Sequence, residues 1–198
     1  LAYELRPAVL DDLGLAEALR SHAQAWTLQT GIPVEMHTRG LQGRLPAGVS
    51  LADGVTIGKA TAPVTLDLYE DPQCPVCAQF ESQVGPAISG WIDSGTVKVH
   101  YHVISFLDSA STTKYSSRAA NALYAAAGVS PDAFAKYHQL LYEQQPAEGS
   151  SGLTEDRLVQ LAQQAGAGAA ADQIRAGTYA DYVARATDQS SKDGVTGT

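Results

Sequence analysis

At 198 residues, 44% of them hydrophobic and 17% charged, the chain has the apolar mass for one packed domain with an appendage and is not a disordered polymer. Thirteen Lys and Arg against 21 Asp and Glu leave a net charge of −8, a field that repels phosphate backbones and disfavours a nucleic-acid partner. No apolar run approaches the length of a membrane span, and two cysteines are too few for a multi-bridge scaffold or a four-thiolate zinc site.

The chain opens at Leu1 without the basic-then-apolar pattern of a signal peptide, so it reads as a fragment or a processed product. Residues 1–30 carry a helical pattern through Leu10, Leu13, Leu15, Ala18 and Leu19, continued by Ala25 and Leu28. Pro7 and Gly14 interrupt it, and two shorter helices fit as well as one. Ile32 to His37 alternates apolar and polar residues and predicts a short strand. Gly40 to Gly48, with three glycines and Pro46, reads as a linker, and a domain boundary is expected at residue 48.

Beyond the linker the grammar changes. Val55–Ile57 predicts a short strand, and Val64–Tyr69, rich in β-branched residues, predicts a second. Cys74 to about Gly90 predicts a helix with Phe80, Val84 and Ile88 on one face and a kink at Gly85-Pro86. Val97–Ile104 predicts a strand with Val97, Val99, Tyr101 and Val103 on one face and Lys98, His100, His102 and Ile104 on the other. From Ser111 onward the pattern is helical, with helices expected at 112–127, 131–144, 154–165, 169–176 and 179–192. Ser130 before Pro131, and Thr154 before Glu155 and Asp156, are helix-start signals. Leu66 to Val103 has the size of a βαβ unit, and the chain reads as α/β.

The chemistry concentrates in Cys74-Pro75-Val76-Cys77, directly after a strand and at the start of a helix. A thiol there faces unpaired N–H groups and the positive end of the helix dipole, which stabilise its thiolate. The second cysteine lies one turn on, close enough to close a disulfide. That spacing suits a reversible dithiol–disulfide couple in which Cys74 attacks a partner disulfide and Cys77 resolves the mixed disulfide. Three other readings stay open: a small structural disulfide, two inert core cysteines, and a zinc site completed by His100 and His102.

The stretch Pro63-Val-Thr-Leu-Asp-Leu-Tyr-Glu-Asp-Pro-Gln-Cys-Pro-Val-Cys-Ala-Gln-Phe80, with Glu81 after it, resembles the DsbA-like thioredoxin-fold oxidoreductases, particularly those of the actinobacterial cell envelope. Arg118-Ala-Ala-Asn121, Phe134 to Leu141, Gln145-Pro-Ala-Glu-Gly149, Tyr179 to Thr187 and Gly194-Val-Thr-Gly-Thr198 agree, so the likeness covers 49–198. It implies a thioredoxin-like fold with a helical insertion over about 111–193. The activity it implies is thiol–disulfide exchange in an extracytoplasmic compartment, with protein thiols and a redox partner protein as partners. A membrane tether, if there is one, lies outside this segment. Cys74 becomes the nucleophile and Cys77 the resolving thiol. Pro75 and Val76 tune the potential, expected between about −120 and −270 mV. No cofactor or metal is expected.

In this family Gly197 and Thr198 precede a cis-proline beside the disulfide and help bind substrate. The chain stops there, so the sheet is expected to lack its last strands and to leave Val64–Tyr69 or Val97–Ile104 with an unpaired edge. The position of the proton-shuttling acid of many relatives is Leu68, with Glu70 as the nearest substitute. Pro72 replaces a usual aromatic.

Residues 1–46 resemble a piece of a two-component sensor histidine kinase: Tyr3-Glu-Leu-Arg-Pro7, Leu10-Asp-Asp-Leu-Gly-Leu15, Ala18-Leu-Arg20 and Thr30-Gly-Ile-Pro-Val-Glu35. The match covers the second dimerisation helix and the start of the ATP-binding domain, without the phospho-acceptor histidine or the nucleotide-binding boxes. His22 and His37 read as surface residues, and the segment is expected to supply no group to the cysteine site. A non-catalytic regulatory fusion, with this helix as a dimerising element, is the alternative function.

Overall fold

The computed structural model describes residues 49–50 and 54–195. These lie in the second of two compact units, which begins at Leu45. The helices, strand and linker expected before residue 49, and the Gly197 and Thr198 positions, lie outside the described residues.

A mixed four-stranded sheet carries the domain, in the order β1 (Val49–Ser50), β2 (Gly54–Ile57), β4 (Val97–Val103), β3 (Val64–Glu70). β2 runs antiparallel to both β1 and β4, whereas β3 and β4 are parallel, Val64 facing Val97 and Glu70 facing Val103. The parallel pair is joined by α1 (Pro75–Ser94), the crossover the βαβ reading requires. Among the described residues β3 pairs on one side only and forms a sheet edge.

α1 runs four residues beyond the expected end and continues through Pro86. Pro86 deprives the Ser82 carbonyl of its amide partner, but both residues are on the exposed side of the helix, where solvent can replace the lost bond. The apolar stripe behaves as expected: Ile88 is buried, and Phe80, Val84 and Ile92 pack on the core beside it. Gly95 ends the helix at φ 77°, a left-handed cap that glycine takes without a Cβ penalty.

The remaining helices are α2 (Tyr115–Ala127), α3 (Pro131–Glu143), α4 (Glu155–Gln164), α5 (Ala171–Ala176) and α6 (Ala180–Lys192), with 3₁₀ turns at Asp108–Ala110 and Gly168–Ala170. Both start signals act as caps: Ser130 Oγ accepts from the Ala133 amide at 3.0 Å, and Thr154 Oγ1 from the Arg157 amide at 3.2 Å. α2 is almost wholly buried, so its small Ala-rich surface lets α3, α5 and α6 approach it closely. Val97, Val99, Tyr101 and Val103 supply the sheet side of the core, and Phe134, Tyr137 and Leu141 of α3 the helix side. Tyr101 meets Phe134 at 5.5 Å and His138 at 4.9 Å between ring centres. Tyr124 of α2 ties the layers together, its hydroxyl accepting from the Val103 amide and donating to the Val103 carbonyl, both at 2.9 Å.

Candidate functional site

Cys74 is the N-cap of α1 with Pro75 following at the first helical position, the arrangement read from the sequence. The turn is held from both sides. Asp71 is fully buried, and its carboxylate accepts from the Gln73 amide at 2.8 Å, the Leu107 amide at 2.9 Å and the Ser116 hydroxyl at 2.6 Å. Burial raises the Asp71 pKa, while Ser116 and the two amides pull it back. From the α3–α4 connection, Gln145 Nε2 donates to the carbonyls of Pro72 at 3.1 Å and Cys74 at 2.9 Å. Gln73 Nε2 donates in return to the carbonyls of Ala147 and Ser150, each at 3.3 Å. Gly152, at φ 68°, lies so close over the Tyr115 ring that a Cβ would stand 2.2 Å from it.

Both cysteines are free thiols, Cys74 buried and Cys77 partly so. Burial pushes the Cys77 thiol well above its ordinary range, and the neighbouring Cys74 and Glu70 reinforce the shift. Both line a cleft of about 590 Å³ whose other walls include Leu68, Val76, Phe80 and Phe106. Val76 is 56% exposed, which presents an apolar side chain to anything that approaches the sulfurs.

Glu70 is buried at the end of β3 and meets His138 Nε2 through Oε2 at 2.7 Å, while its Oε1 has no hydrogen-bond partner. Glu81 of α1 brings a second carboxyl to the same place, also with an unpartnered buried oxygen. Burial and the Glu70 charge push the Glu81 carboxyl up to about 7. Burial alone would lower the His138 pKa, but Glu70 and then Glu81 outweigh it and raise it. Leu68, the position of the usual shuttle acid, is an apolar wall of the cleft, and Glu70 is the acid beside the cysteines. Sequence reasoning had not reached Asp71, Glu81 or His138 as functional groups. No local pattern marks them, and their meeting is visible only once the helices are packed.

The zinc alternative fails in the form drawn from the sequence. His100 and His102 converge on Asp67, and among the described residues no cluster of three candidate metal ligands includes a cysteine. His102 is buried and stacks on Tyr69 with ring centres 4.3 Å apart, on a strand that is interior to the sheet and paired on both sides.

The fold defines a thioredoxin-type domain, and the thioredoxin family profile matches residues 50–198. The chain belongs to the thioredoxin family, among its DsbA-like disulfide oxidoreductases. It is similar to the reduced disulfide bond oxidoreductase DsbG of Mycobacterium tuberculosis, with a TM-score of 0.67 and 33% identity over 76% of this chain and 77% of that one. DsbA of the same organism gives 0.65 and 33% over 74% and 79%, and BdbD of Bacillus subtilis 0.64 and 28% over 76% and 80%. Among curated proteins, disulfide bond formation protein D of Bacillus subtilis is 36% identical over 54% of this chain and 46% of its own length. The serine/threonine-protein kinase PknE of Mycobacterium tuberculosis is 37% identical over 59% of this chain and 22% of its own length. The chain thus spans less than half of either curated relative.

Proposed function

We propose that the chain exchanges disulfides with cysteines of exported proteins through Cys74-Pro75-Val76-Cys77, in an extracytoplasmic compartment. The observation that carries this reading is Cys74 at the cap of α1, with Pro75 as the first helical residue and an apolar cleft in front of both sulfurs. The Cys74 thiolate attacks one sulfur of a substrate disulfide, the substrate S–S bond breaks, and the departing sulfur takes a proton. Cys77 then loses its proton and attacks Cys74 Sγ, releasing the second substrate thiol and leaving Cys74–Cys77 oxidised. Two electrons pass from the dithiol to the substrate, and the reverse sequence oxidises a substrate dithiol. Either direction needs a redox partner protein to restore the starting state. The raised Cys77 thiol requires a base, and the Glu70–His138–Glu81 group beside it is suited to accept that proton.

The test is exchange with a fluorescent disulfide peptide. Cys74→Ser should abolish turnover, and Cys77→Ser should accumulate a mixed disulfide on Cys74 that mass spectrometry detects. A Cys74→Ser protein that still turns over, or a mixed disulfide trapped on Cys77 instead, overturns the assignment.

A further inference from the structure

The parallel ladder between β3 and β4 sets Asp67 opposite His100 and Tyr69 opposite His102. All four side chains share the sheet face opposite the Tyr101 core. Asp67 Oδ1 stands 3.2 Å from His100 Nδ1 and 3.1 Å from His102 Nε2, so both imidazoles aim at a single carboxylate oxygen. We propose that Asp67, His100 and His102 form a site for a divalent first-row transition ion, best suited to Zn²⁺, separate from the redox cysteines.

Three observations carry the site. The three donor atoms lie within 4.8 Å of one another. Zinc held by imidazole and carboxylate at its usual bond lengths of about 2.0–2.2 Å sets neighbouring donors about 3.4 Å apart, so the observed separations need only a few tenths of an ångström of retreat. The donors also sit on backbone that cannot drift: two paired strands fix their register, and the stack of Tyr69 on His102, 8° from parallel, fixes the ring plane. Finally, the Asp67 side chain is 51% exposed while His102 is 7% exposed, giving a solvent path to the ion from one side and room for water as a further ligand. Two imidazoles and one carboxylate favour zinc, cobalt, nickel or copper over calcium and magnesium, which take oxygen ligands.

The experiment uses the full chain with Cys74→Ser and Cys77→Ser, so that thiolates cannot capture the metal. Zn²⁺ is titrated in competition with a chromophoric chelator, and Co²⁺ is added separately as a visible-absorption reporter. One equivalent should bind, and Asp67→Asn or His102→Ala should each weaken binding at least tenfold. Glu81→Gln and His138→Gln, in the other candidate cluster, should change it less than twofold. Imidazole NMR of the serine variant supplies a readout that needs no ligand substitution. The His100 and His102 rings should shift on Zn²⁺ addition, and those of His22, His37 and His138 should not. Absence of stoichiometric binding, loss of binding on changing His138 or Glu81, or shifts confined to His22, His37 or His138 overturns the site.

Discussion

Cys74 and Cys77 differ in ways that a labelling experiment reads directly. Cys74 caps α1 in front of the free amides of its first turn, whereas burial and the neighbouring Cys74 and Glu70 hold Cys77 as a thiol. Limited iodoacetamide treatment of the reduced protein at about pH 6.5, followed by peptide mapping, should therefore find Cys74 modified first. Equal labelling, or Cys77 modified first, contradicts that. Glu81 makes a second prediction. Its folded pKa of about 7 exceeds the unfolded value of about 4.5, so the folded state binds the proton more tightly. The resulting stability is complete below pH 4.5 and is lost as pH rises towards 7. Glu81→Gln should flatten the fall in urea midpoint across that window; an unchanged slope would falsify the raised carboxyl.

At the scale of elements, the cysteine turn owes its shape to a connection distant in sequence. Asp71 fastens the turn to the chain after β4 and to α2, and Gln145 fastens it to the α3–α4 connection. Gln145→Ala removes two hydrogen bonds, each worth about 0.5–1.5 kcal/mol. It should destabilise the protein by about 1–3 kcal/mol and also slow peptide exchange, because the Cys74 carbonyl loses its brace. Thr154→Ala is the contrast. It removes the cap of α4 at a cost of about 1 kcal/mol and should leave the exchange rate unchanged. If both variants slow exchange equally at matched stability, the brace has no specific role. The caps themselves were readable, since a cap is a local pattern of a few residues. The brace was not, since Gln145 is 71 residues from Cys74 and its amide has no periodicity to betray a target.

For the whole molecule, the net charge of −8 sets which substrates arrive most readily. The cleft walls are mainly apolar, so long-range charge acts on encounter more than on the docked complex. A cysteine peptide flanked by lysines should react faster than one flanked by glutamates at low salt. The ratio should approach one near 1 M salt, where the Debye length is about 3 Å. Stopped-flow rates across ionic strength measure this, and a ratio independent of salt removes the steering argument.

Local chemistry made much of the domain legible from its residues. Val64–Glu70 and Val97–Val103 alternate as strands must, Pro131 and Thr154 mark helix starts, and a strand followed by Cys-Pro-Val-Cys places one thiol at a helix cap. Each of these depends on neighbours within a turn or two, so the order of residues suffices. Packing alone decided the rest. Which of the two parallel strands forms the edge, the extension of α1 to Ser94, and the burial of His102 depend on which surfaces cover which. Glu70, Glu81 and His138 come from a strand and two helices, and Asp67 meets His100 and His102 only through the register of a parallel ladder. Side chains on different elements leave no periodic trace of their meeting; a carboxyl becomes buried, or a candidate ligand, only when folding removes its water and supplies the partner.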